Sequence, residues 1–283
     1  MSRRLHLTTL LGFSGERHSA EHALAFLFLR LLGTSLPGTS SSSTAWDGLA
    51  DVPGDCLGSV LDETCRGCEK LWPALTGFFD GVEFTRCSAS SLQRSVERVE
   101  RVVASYPSAT CLAEAYQTTR SLTTAQWQGA FFTPYSLARV LAQVQEPSPT
   151  DWVLDPACGG GVMLVAALDV ARELHGTTAA LALTLIGVEL DPRTAAIARA
   201  SLVLAGAHPD QFWIGCGNAL AQPLVGFDRR RGRLQPLQCT LSLANPPFGR
   251  AASVGARFEG GKPLVVPDRV LYRLIPRRRE ESR

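Results

Sequence analysis

Asp155-Pro156-Ala157-Cys158-Gly159-Gly160-Gly161 lies between a short apolar run, Trp152-Val153-Leu154, and residues 162–174, whose apolar side chains recur at helical spacing. The run predicts a strand and the stretch a helix, so the glycines turn the chain at a strand's carboxyl end and open onto a helix N-terminus. Glycine tolerates positive φ and puts no Cβ between backbone and ligand. The arrangement predicts a doubly wound nucleotide-binding sheet, although the spacing is not the G-x-G-x-x-G dinucleotide fingerprint. Further along stands Ala244-Asn245-Pro246-Pro247-Phe248-Gly249. A residue before proline is pushed out of the α region and proline fixes its own φ, so this stretch is rigid and non-helical. The Asn245 side-chain oxygen and the Pro246 carbonyl can accept both protons of an exocyclic amine, and Phe248 offers an apolar face on which a base can stack.

Between these motifs, residues 184–188 predict a second strand, which ends in Glu189. The separation from Asp155 fits one helix and a returning parallel strand, as a βαβ unit requires. A carboxylate at a strand's end accepts only, and can take both donors of a vicinal diol.

In this order the motifs resemble those of the adenine-N6 DNA methyltransferases, most closely the modification subunit of type I restriction systems. The resemblance covers residues 129–272. Gly129-Ala130-Phe131-Phe132-Thr133-Pro134 is similar to the family's first cofactor motif, and 155–161 to its main cofactor loop. Gly187-Val188-Glu189-Leu190-Asp191-Pro192 resembles the segment whose acid binds the ribose, and Gly217-Asn218-Ala219-Leu220 the segment at the cofactor's adenine, where many relatives have Asp in place of Asn218. The resemblance implies S-adenosyl-L-methionine as cofactor, with Phe132, Thr133, Pro134, Asp155, Ala157, Gly159, Gly161, Glu189 and Asn218 binding it. It implies Asn245, Pro246, Pro247 and Phe248 as the catalytic motif. The expected fold is α/β, a Rossmann-like methyltransferase sheet with a helical N-terminal region.

The implied reaction is methyl transfer to the N6 of an adenine flipped out of the duplex. DNA is then the substrate, and specificity and restriction subunits are the partners the type I resemblance suggests. A non-catalytic DNA- or cofactor-binding subunit carries the same motifs. So does a methyltransferase acting on RNA or on protein glutamine. C5-cytosine chemistry would call for a Pro-Cys pair, and the chain has none.

The 283 residues allow one large or two ordinary domains, and the formal charge of +2 excludes a generic polycation. Arginines concentrate at Arg229, Arg230, Arg231 and Arg233 and again at 277–279, which suits either solvated loops or phosphate contacts. No segment resembles a signal peptide or membrane span, since the apolar stretch 23–32 is short and contains Arg30, so a cytoplasmic protein is expected. Cys65-Arg66-Gly67-Cys68 has the spacing of half a zinc knuckle, but Cys56 and Cys87 stand alone, so reduced thiols and no metal are expected.

Two regions are expected: a mainly helical part, 1–120, and a methyltransferase domain, 121–283. In the first, residues 14–32 read as an amphipathic helix, 34–44 as a linker, 48–87 as loop-rich, and 92–104 as a helix with a solvated charged face. In the second, residues 261–272 resemble the family's fifth strand and the turn after it, with only 249–260 to connect them to the fourth. A parallel crossover needs about a dozen residues and usually a helix. A truncated or internally deleted sheet, with an exposed edge and face, is therefore expected.

Overall fold

Thr184–Glu189 is apolar toward both faces of its strand, a pattern that is stable only where both faces of a parallel sheet are covered. A computed structural model of the chain describes residues 19–35, 49, 52–105, 111–120, 133–229, 231–246, 262–267 and 270. Its elements are α1 (Ser19–Ser35), α2 (Gly54–Leu71), α3 (Ala89–Ser105), α4 (Cys111–Arg120), α5 (Tyr135–Gln145), β1 (Trp152–Asp155), α6 (Val162–His175), α7 (Thr177–Ala180), β2 (Thr184–Glu189), α8 (Pro192–Leu204), β3 (Phe212–Cys216), β4 (Leu224–Asp228), β5 (Arg233–Pro236), β6 (Leu241–Ser242) and β7 (Leu264–Val266). A four-stranded parallel sheet has the order β3-β2-β1-β6.

Strand alternation divides the core between the two faces of this sheet. Val153, Leu185, Phe212 and Ile214 join the large core built on the helices, whereas Ile186, Leu154, Trp152 and Trp213 pack on the opposite side against Leu224, Val266 and Val270. That opposite layer is a second sheet of order β5-β4-β7, in which β4 pairs antiparallel with β5 and parallel with β7.

Two expectations are corrected here. Leu264–Val266 is a strand, but it pairs with Leu224–Gly226 of the small sheet and does not extend the main one. The Leu264 N–H donates to the Pro223 carbonyl at 2.9 Å, and Gln222 Nε2 to the Lys262 carbonyl at 3.0 Å, so the partner is chosen at the strand's entry. The face expected to be bare is in consequence covered, and Ile186 is fully buried beneath the small sheet. The connection 249–260 lies outside the described residues. Arg231 lies in the turn of the β4–β5 hairpin: Asp228 accepts from the Arg231 N–H and from Gln235 Nε2, and Gly232 takes φ +63°.

The N-terminal helices contribute to the same large core as the main sheet. Helix α1 buries Ala23, Leu24, Ala25, Phe26, Leu27, Phe28 and Leu29 in succession. Residues 23–32 therefore form a core helix as expected, whereas the amphipathic reading of the longer stretch is corrected. Helix α3 follows the expected pattern. The linker expected at 34–44 lies largely outside the described residues, and α1 runs through Ser35.

The loop-rich reading of 48–87 is wrong. Helix α2 occupies 18 residues of it, with Leu57, Leu61, Cys65 and Cys68 on its buried side. Cysteines here take hydrophobic positions in a helical repeat, and three glycines hid the pattern. Burial pushes the Cys65 thiol strongly up and the Cys68 thiol to about 11, so both stay protonated. Among the described residues no group of three or more His, Cys, Asp or Glu is placed to hold a metal, and no helix is long and apolar enough to cross a membrane.

One of those glycines is a packing requirement. Asp62 accepts from the backbone N–H groups of Phe84 (2.6 Å) and Thr85 (3.2 Å), drawing that backbone onto α2. A Cβ at Gly58 would then meet the Phe84 carbonyl oxygen at 2.9 Å and the Thr85 Cα at 3.0 Å, whereas one at Gly67 meets nothing within 4 Å. Helix propensity favours alanine over glycine by about 0.5–1 kcal/mol at either position, but a backbone clash costs about 1–3 kcal/mol. The two substitutions in one helix should have opposite signs in urea unfolding. Gly67→Ala raises the midpoint and Gly58→Ala lowers it.

Candidate functional site

The carboxyl ends of the four parallel strands carry the predicted site residues side by side. Asn218 follows β3, Glu189 ends β2, the glycine loop follows β1, and Asn245 follows β6. Ligands of open α/β sheets bind in the crevice outside these ends.

The loop after β1 is shaped by two left-handed glycines, Gly159 at φ +52° and Gly161 at φ +86°, the latter capping α6. The Cys158 N–H donates to the Val188 carbonyl at 2.9 Å, and the Gly161 N–H to the Cys158 carbonyl at 2.8 Å. Gly160 backs onto α4: a Cβ there would lie 2.9 Å from that of Ala113. Among the described residues nothing lies within 4 Å of the Cβ position at Gly159, so on that side the loop is open. Cys158 is buried against Gly187, and burial, with the charges of Asp155 and Glu189, pushes its thiol far above the ordinary range. It is a packing residue and no nucleophile.

Glu189 ties the loops together. Its Oε2 accepts from the Gly159 N–H at 3.0 Å, its Oε1 from the Asp191 N–H at 2.9 Å, and its main-chain carbonyl from the Gly217 N–H at 2.9 Å. Each carboxylate oxygen keeps acceptor capacity beyond these bonds. Asp191, with Pro192 at the first helical position, caps α8 by accepting from Thr194 at 2.7 Å. Asn218 spends its side-chain oxygen within its own turn, on the Leu220 N–H at 3.0 Å.

Asn245 is half-buried, and its Nδ2 donates to Thr133 Oγ1 at 3.0 Å. The segment expected to begin the cofactor site thus meets the Asn-Pro-Pro stretch here. Pro134 is the N-cap residue of α5, and Pro246 is exposed. Phe132, Pro247 and Phe248 lie outside the described residues.

Sequence reasoning missed α4. Besides Ala113 behind the glycine loop, its Tyr116 hydroxyl lies 3.1 Å from Thr194 Oγ1, bracing the cap of α8. The helix belongs to the expected N-terminal region, yet it supports the beginnings of both α6 and α8. Only the small residues Ala113 and Ala115, both fully buried, hint at this close approach.

Asp155 is almost fully buried behind the loop. Burial pushes its carboxyl up to about 7, with Glu189 adding to the rise and the hydrogen bond from the Ala157 N–H opposing it. An exposed aspartate titrates near about 4. Between these values the folded chain binds more protons than the unfolded chain, so this group's stabilising contribution is complete below about pH 4 and is lost as pH rises through about 7. Urea midpoints from pH 5 to pH 8 should fall for the wild type, and the slope should flatten in Asp155→Asn.

Comparison with known proteins agrees with this geometry. The type II methyltransferase M.MamI of Microbacterium ammoniaphilum is 35% identical over 133 residues, 43% of this chain and 34% of that protein. The methylase subunit of the type I restriction enzyme MjaVII of Methanocaldococcus jannaschii is 27% identical over 121 residues, 43% of this chain and 19% of that protein. The chain thus spans about a third or less of these curated relatives. The crystal structure of a type I restriction-modification methyltransferase subunit from Streptococcus thermophilus shares the fold at a TM-score of 0.58, with 14% identity over 86% of this chain and 61% of that one. The profile of the N-6 DNA Methylase family matches residues 111–262, more than half of the chain and the whole row of loops described above, and the chain belongs to that family.

Proposed function

We propose that the chain transfers a methyl group from S-adenosyl-L-methionine to the N6 of a flipped adenine in DNA, as part of a restriction-modification system. The observation that carries the proposal is the placement of Asn245 one strand from the glycine loop, with Glu189 and Asn218 on the far side. Neighbouring strands lie about 5 Å apart. A cofactor lying across β3, β2 and β1 with its reactive end toward β6 would face Asn245.

The residues fit that cofactor. The open side of Gly159 leaves room for it, Glu189 retains acceptor capacity for ribose hydroxyls, and the turn at Asn218 borders the adenine end. When bound, S-adenosyl-L-methionine supplies an electrophilic methyl group on a sulfonium. Asn245 Oδ1 and the Pro246 carbonyl would accept the two amine protons, drawing the nitrogen lone pair out of conjugation with the ring. Phe248 would stack on the flipped base. Holding the amine at the mouth of the loop supplies most of the acceleration through positioning.

On this reading 1–120 forms a mainly helical region and 121–283 the methyltransferase domain. The work is cytoplasmic, on DNA, alongside specificity and restriction subunits.

Two measurements test the proposal. Titration calorimetry with S-adenosyl-L-methionine should register binding to the wild type. Glu189→Ala should weaken it at least about ten-fold, the scale of one lost charge-assisted hydrogen bond; equal affinity would remove Glu189 from the cofactor site. Mass spectrometry of digested DNA should find N6-methyladenine. Asn245→Ala should lower the rate about 100- to 1000-fold, the usual loss for one transition-state hydrogen-bond partner, and 5-methylcytosine as product would overturn the amine-clamp assignment.

A further inference from the structure

Thr133 belongs by sequence to the cofactor motif, but its hydroxyl is bonded to a different part of the site. The Asn245 Nδ2 donates to Thr133 Oγ1 at 3.0 Å, across a sequence separation of 112 residues. The bond matters because the two ends of an asparagine amide have opposite chemistry. Only Oδ1 can accept a proton of a target amine. An amide turned over would present its own N–H groups to the amine and compete for the lone pair that must attack. The last torsion of an asparagine side chain is broad and two-fold, so the backbone of the Asn-Pro-Pro stretch does not choose between these orientations.

Thr133 is suited to anchoring one end of the amide: its hydroxyl can accept from Nδ2 or donate to Oδ1, and in the structure it accepts from Nδ2. It precedes Pro134, which confines its backbone to the extended region, and its branched Cβ restricts χ1, so Oγ1 occupies a defined position. Both residues are half-buried, where a hydrogen bond competes less with water. We propose that Thr133 is a positioning residue whose hydroxyl holds the Asn245 amide by its nitrogen, so that Oδ1 is presented to the target amine. The proposal rests on the amine-clamp reading of Asn245 and reassigns Thr133 from cofactor binding to orientation of that clamp.

The test compares Thr133→Val, which keeps the shape and removes the hydroxyl, with Thr133→Ser, which keeps the hydroxyl. At saturating cofactor and DNA, T133V should lower kcat about ten-fold, the scale of one net hydrogen bond. Its Kd for S-adenosyl-L-methionine should stay within about two-fold, and T133S should recover kcat to within about three-fold. A T133V whose cofactor Kd rises while saturated kcat is kept would overturn the proposal, as would equal losses in T133V and T133S. A second readout does not depend on activity: the side-chain NH2 resonances of Asn245 in ¹H–¹⁵N spectra, identified by their loss in Asn245→Asp. They should move in T133V and hold in T133S. Resonances unmoved in T133V would overturn the orientation, whereas absence of methylated DNA from the wild type together with moved resonances would count against the methylation reading and for the Thr133 contact.

Discussion

The carboxylate of Glu189 joins the loops after β1 and β2, and the carbonyl of the same residue takes the first N–H after β3. Loops that would each carry orphaned backbone donors at a sheet end are thereby satisfied by one residue. The arrangement requires β2 to lie between β1 and β3, which it does, and requires Gly159 to turn its N–H toward the neighbouring strand, which its positive φ permits. The geometry of the row of loops follows from this junction.

Behind the row, the helical layer is held by contacts that cross the chain. Arg193 donates to the Phe78 carbonyl at 2.5 Å and lies 5.7 Å from the centre of that ring, and Arg199 donates to the Thr76 carbonyl at 3.1 Å. These arginines of α8 anchor the residues around 73–79 against the methyltransferase sheet. Because α4 also touches the glycine loop, the N-terminal helices act as a brace for the site. On the other side of α6, Tyr135 donates to Asp169 at 2.5 Å and Arg139 makes a bidentate pair with Glu173, fixing α5 and hence the segment that carries Thr133 and Pro134. The Arg139–Glu173 pair is largely exposed and contributes little stability; its value is register.

The second sheet resolves a problem posed by the main one. A parallel sheet is apolar on both faces, and the strand expected to extend it lies elsewhere. Leu264–Val266 and the β4–β5 hairpin instead form a layer over Trp152, Leu154, Ile186 and Trp213. The same apolar residues are buried by stacking, without lengthening the sheet.

Local chemistry made much of the methyltransferase part legible in the sequence. The glycines after Asp155 with a helical repeat behind them, the continuous apolar strand ending in Glu189 and the rigid Asn-Pro-Pro stretch are each decided by backbone sterics or side-chain periodicity within a few residues. What remained hidden depends on partners far along the chain. Helix α2 was concealed because its cysteines act as hydrophobes and Gly58 is required by the backbone of Phe84 and Thr85. The pairing of Leu264–Val266 was concealed because a three-residue strand carries no information about its neighbour. The contacts of Ala113 with the glycine loop and of Thr133 with Asn245 arise only when separate elements are packed together. Periodicity and turn chemistry act over one element, so sequence alone determined the strand, glycine loop and helix from Trp152 onward, the strand that ends in Glu189, the core helix at 23–32 and the Asn-Pro-Pro stretch. Pairing, close approach and the orientation of a side-chain amide are properties of two elements at once, and only the tertiary structure decided them.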